Sequence, residues 1–123
     1  MSTNDNNLKE KSFRFAVRII NLYKYLSHEK KEFVISKQML RSGTSIGANI
    51  REAQNAESKP DFIHKLGISQ KETDETMYWI ELLKETDYLD EKQFLSIYSE
   101  SKELLKIIRS INLTTKNNLK NNS

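Results

Sequence analysis

Met39, Gly43, Ile46, Ile50 and Ala53 recur every three or four residues, the period of an α-helix with one buried face. Gly43 and Gly47 lie inside that run. Each is about 1 kcal/mol worse than Ala in a helix interior, so a helix that keeps both uses them to admit a close neighbour. Polar Arg41, Ser45, Asn49 and Glu52 form a second stripe beside the apolar one. With only three glycines and one proline in 123 residues, and β-branched residues scattered rather than alternating, the chain reads as all-α.

Four helical segments follow from the periodicity. The first covers residues 8–26, capped by Asp5 or a neighbouring Asn, with Phe15, Ala16, Ile19, Leu22 and Leu26 as its main stripe. Phe13, Val17 and Ile20 make that stripe wider than one bundle contact needs, which predicts self-association. The run HEKKE at 28–32 has no apolar member and reads as the first loop. A second helix spans 35–57. Ser58-Lys59-Pro60-Asp61 then marks a boundary, with capping-box spacing and proline in the first turn of a helix over 59–85. In that helix Ser69, Thr73 and Thr76 fall on the core stripe, and their small hydroxyls predict close packing against helix two. Asp90 and Gln93 repeat the capping spacing ahead of a fourth helix over 91–111. One domain over residues 1–113, an antiparallel up-and-down four-helix bundle, accounts for the pattern, and the Asn- and Lys-rich tail 114–123 is expected to be disordered.

Composition removes several chemistries. The absence of cysteine excludes disulfides, thiolate catalysis and zinc–thiolate sites. No apolar run approaches the roughly 18 residues that span a bilayer, so the expected setting is the cytoplasm, without membrane contact. Gly43-Thr44-Ser45-Ile46-Gly47 matches the G-x-S-x-G nucleophile elbow, but that device needs a strand-to-helix turn and this stretch is helical. A di-iron bundle site needs two Glu-x-x-His pairs and two further Glu, and Asp61-x-x-His64 is the nearest approach. The expectation is no enzyme, no metal and no cofactor.

Charge is more suggestive. The net charge is +3, modest for a nucleic-acid binder, so placement matters. Lys11, Arg14 and Arg18 share one side of helix one, and Lys102, Lys106 and Arg109 share one side of helix four. If the first and last helices adjoin, the strips merge into a phosphate-contact patch for RNA or DNA. Arg41, Ser45, Asn49 and Glu52 with Glu72 and Glu75 form a polar set read as structural pairing between helices or subunits.

RSGTSIGANIREA, followed by SKPDFIHKL and ISQKETDETMYWIELL, resembles the four-helix bundle family of proteins encoded in intervening sequences of 23S ribosomal RNA genes. The sharpest matches are Arg41, Ser45-Ile46, Asn49-Ile50 and Glu52, with Glu75 at the acidic signature of helix three. The resemblance implies a ring-like homopentamer, and similarity to the basic accessory protein of diversity-generating retroelements, which binds a reverse transcriptase and nucleic acid. Arg51-Glu52-Ala53 stands where members often have Ala-Glu-Gly, and Lys71 and Glu72 replace small residues. The functional expectation is a non-enzymatic oligomeric nucleic-acid or ribonucleoprotein accessory module. The alternative is an oligomeric scaffold that recruits a partner polypeptide.

Overall fold

The computed structural model describes the backbone of residues 3–121 and the side chains of residues 7–121. It contains four helices, α1 (Thr3–His28), α2 (Ile35–Gln54), α3 (Lys59–Glu85) and α4 (Glu91–Asn121), and no strand among the described residues. Short connections make successive helices antiparallel, and contacts run in a closed cycle, α1 to α2 to α3 to α4 and back to α1. The α2–α3 contact is the most extensive and the α1–α4 seam the sparsest.

Each helix supplies part of one core. Phe15, Ile19 and Leu26 from α1, Met39, Ile46 and Ile50 from α2, Leu66, Ile80 and Leu83 from α3, and Ile97, Leu104 and Ile108 from α4 are buried together. The serine and threonine layer of α3 is buried too, and it faces α2 as its spacing predicts. Ser69 Oγ donates to the Ile46 carbonyl at 2.9 Å, and Thr76 Oγ1 donates to Ser42 Oγ at 2.8 Å. The glycines of α2 serve the opposite neighbour. A Cβ on Gly43 would stand 2.8 Å from Ile19 Cγ2, and one on Gly47 would stand 3.3 Å from Ser12 Oγ, so both glycines let α1 close on α2.

Local chemistry sets the boundaries. Ser58 Oγ accepts from the Asp61 amide at 3.1 Å with Pro60 in the first turn of α3. Asp90 and Gln93 form a complete reciprocal box, their side chains and amides exchanging bonds of 3.0 and 2.7 Å. The end of α3 is a Schellman turn. The Tyr88 amide reaches back to the Leu83 carbonyl at 2.9 Å and the Asp87 amide to Lys84 at 3.1 Å, with Asp87 left-handed at φ 67°.

Four boundaries differ from the periodicity. The first helix begins at Thr3 rather than at 8, and the expected cap, Asp5 or a neighbouring Asn, lies outside the described side chains. At its other end it runs on through His28. The second helix stops at Gln54 rather than 57, because the Asn55 and Ala56 amides tighten onto Glu52 and Ala53 before the chain extends at Ser58. The tail expected to be disordered after Leu113 continues α4 to Asn121. No glycine or proline interrupts it, Asn112 is buried, and Thr115 Oγ1 bonds back to the Ile111 carbonyl at 2.8 Å. Extending an already packed helix costs far less than nucleating one, so weak helix formers suffice there.

The run 28–32 also conceals a buried cap. Glu32 is 8 % exposed, and its carboxylate accepts from the amides of Val34, Ile35 and Ser36 at 3.0, 3.0 and 2.6 Å. Burial pushes its carboxyl up, but these backbone bonds and Ser36 outweigh burial and hold it below the ordinary glutamate value.

Candidate interaction surfaces

Around the bundle, each pair of adjoining helices presents a face of different chemistry. On the α1–α4 seam, Lys11 Nζ meets Glu103 at 2.7 Å, and Arg18 meets Glu100 at 2.9 Å and Ser96 Oγ at 2.8 Å. Arg14 pairs with Glu10 one turn earlier on its own helix. The three cations of α1 are therefore engaged by carboxylates. These are exposed or half-exposed pairs, each worth about 0–1 kcal/mol.

The cations of α4 point elsewhere. Lys102 sits over the Tyr98 ring at 5.9 Å, and the Tyr98 hydroxyl donates to Glu81 of α3 at 2.9 Å. Burial, the bond to Glu81 and that carboxylate's charge together push the Tyr98 phenol up. Arg109 is 3.9 Å from Asp74 of α3. Tyr98, Lys102 and Arg109 thus turn toward α3, with Lys106 exposed between them on the same helix. The expected merging of the two basic strips does not occur, because α4 offers acids to α1 and bases to the opposite side.

Of the polar set expected between helices, part assembles. Arg41 reaches Glu72 at 3.4 Å and also pairs with Glu75, whose carboxylate accepts from the Trp79 indole at 3.1 Å. Ser45 and Asn49 instead bond to carbonyls one turn back, Ser45 to Arg41 at 2.7 Å and Asn49 to Ser45 at 2.9 Å. Glu52 is exposed and lies outside the cluster.

The α1–α2 face is apolar. Phe13, Val17 and Ile20 are 59, 44 and 38 % exposed, and the connection beyond them exposes Phe33 and Val34. Beside the strip runs a groove of about 720 Å³, floored by Ala16, Thr44, Gly47 and Ala48 and rimmed by Lys9 and Arg51. The small residues of α2 leave room there, and Phe13 stands next to it as a knob. Among the described residues no group of His, Asp or Glu is arranged to hold a metal ion, and no helix is long and apolar enough to cross a membrane.

This bundle, with its α2 signature facing α1 and α3, has relatives. The model of the 23S rRNA-intervening sequence protein family matches residues 4–110. The chain belongs to that family. A solved structure from Bacteroides thetaiotaomicron, a protein of unknown function from the S23 ribosomal protein family, superposes with a TM-score of 0.89 at 58 % identity. The match covers 89 % of this chain and 98 % of that one. No curated protein matches. Within the intervening-sequence family setting, Arg41 and Glu75 of the recognised motif are one ion pair across α2 and α3, and Asn49 is a helix-internal bond.

Signals missed by periodicity are identifiable. Glu32 is hidden from periodicity because a carboxylate in a charged run looks solvated, and no capping-box spacing marks it. The acids at 100 and 103 share one side of α4, apart from its bases, and that separation is the signal periodicity carries for two unlike faces of the helix.

Proposed function

We propose that this member of the intervening-sequence family is a non-enzymatic, cytoplasmic oligomeric scaffold, a homopentamer as its resemblance implies, that recruits a partner polypeptide. The exposed ladder of Phe13, Val17 and Ile20 carries the reading. Those side chains sit at i, i+4 and i+7 on a well-packed helix, so their exposure reflects a face left for another surface rather than loose packing. The adjoining groove supplies the concavity that such a contact needs. Engagement of Lys11, Arg14 and Arg18 by carboxylates leaves assembly, rather than phosphate contact, as the role the α1 surface supports.

Light scattering on the eluting protein tests this. The expected mass is a multiple of the 14.4 kDa chain, and Phe13→Glu with Val17→Glu should return it to 14.4 kDa while the helical signal is kept. A wild-type chain that runs as a monomer at about 100 μM, a concentration at which even weak association registers, overturns the reading.

A further inference from the structure

We infer that the C-terminal half of α4 is a docking strip for the phosphate backbone of nucleic acid, read without regard to sequence. The observation is an asymmetry of charge along one helix. Glu100 and Glu103 are its last carboxylates, and both are committed to cations of α1. From Leu104 to Asn121 there is no acid, whereas Lys106, Arg109, Lys116 and Lys120 carry four positive charges, more than the net +3 of the whole chain. The remainder of the molecule is thus close to neutral, and its positive field is concentrated here.

Helicity through Asn121 gives those charges an order that a disordered tail would lack. Positions 102, 106, 109, 116 and 120 fall on one stripe of a continuous helix. At 1.5 Å per residue the stripe is about 27 Å long, the length of several backbone phosphates. Four of its five cations, Lys102, Lys106, Arg109 and Lys116, are weakly committed. Among the described residues, Lys102 packs on the Tyr98 ring, Arg109 has Asp74 at 3.9 Å with both side chains more than half exposed, and Lys106 and Lys116 are exposed and make no ion pair. Ser110 and Asn117 are exposed beside the stripe and offer the neutral donors that accompany cations at phosphate.

An anionic membrane fits less well. Surface-lying helices bury an apolar face among lipids, and the apolar face of α4, Leu104, Leu105 and Ile108, is already used by the bundle core. Leu113 alone stands exposed on the basic stripe. The strip lies away from the α1–α2 groove and does not depend on self-association.

The test is fluorescence anisotropy of a labelled RNA of scrambled sequence, about 24 nucleotides long so that it spans the strip, titrated with the full chain at several salt concentrations. Four phosphate contacts on a single strand predict a slope of log K against log salt of about −3 per bound chain. Lys106→Glu with Lys116→Glu should lower affinity at low salt more than about tenfold and reduce the slope by about 1.5. The charge-matched control, Lys30→Glu with Lys37→Glu, should change affinity less than about twofold, and melting curves establish that both variants fold. Absence of binding at low salt overturns the inference. So does equal loss in the two variants, or capture by phosphatidylserine vesicles as strong as by RNA.

Discussion

Gly43 and Gly67 occupy helix interiors and respond oppositely to one added methyl group. Around Gly67 a Cβ meets nothing within 4 Å, so Gly67→Ala should gain the helix propensity and raise stability by about 1 kcal/mol. At Gly43 the same carbon would press on Ile19, a β-branched residue held rigid in the core. Overpacking there costs about 1–3 kcal/mol, and Gly43→Ala should lower stability despite better propensity. Chemical denaturation of both variants checks the pair. Periodicity made the need for close approach at Gly43 readable. Which helix approaches was not readable, because glycine has no side chain to point, and the answer lies with Ser12 and Ile19 in a distant stretch. The same limit applied to Arg18, whose partner is settled by which acids α4 happens to turn inward.

Helix ends are where charge acts on whole elements. Glu32 holds three amides at the start of α2, and its folded pKa lies below the unfolded value near 4.3. Its contribution is therefore complete above the unfolded value and is lost as pH falls through the folded one. Glu32→Gln should melt lower at pH 7 by the worth of a cap, about 1 kcal/mol, and the difference should shrink as pH drops below 4. Melting curves across pH 7 to 3 measure it. At the far end of α3, Asp87 adopts the left-handed conformation that glycine takes without strain, so Asp87→Gly should stabilise by about 0.5–1 kcal/mol in the same assay. Two of the four helix starts were legible, since Ser58 and Asp90 stand immediately before apolar periods. The end of α4 was not. Its Thr and Asn residues have low propensity, and packing around Ile111 and Asn112 supports the further turns.

For the whole molecule, the order of helices around the bundle puts three contacts between sequence neighbours and one between the first and last elements. The three neighbour contacts carry most of the core and the small-residue layers, whereas the closing contact is lean and lined with ion pairs. Five of the eight large apolar side chains exposed among the described residues belong to the α1–α2 hairpin, so the sticky face and the basic strip of α4 lie on different parts of the surface. All-α architecture was legible because few breakers and a consistent 3.6 period leave little else. The division of the surface into an apolar face and a basic strip was only half legible, since periodicity shows which residues share a side but not which neighbour they meet. That lean seam also bears on how the chain is made. During synthesis α1, α2 and α3 emerge first and form their hairpins while α4 is still in the ribosome, leaving Lys11, Arg18 and Leu22 without their α4 neighbours. Docking of α4 is then the step that completes the protein, and raised salt, by weakening its ion pairs, should slow that final closure more than it disturbs the hairpins already formed.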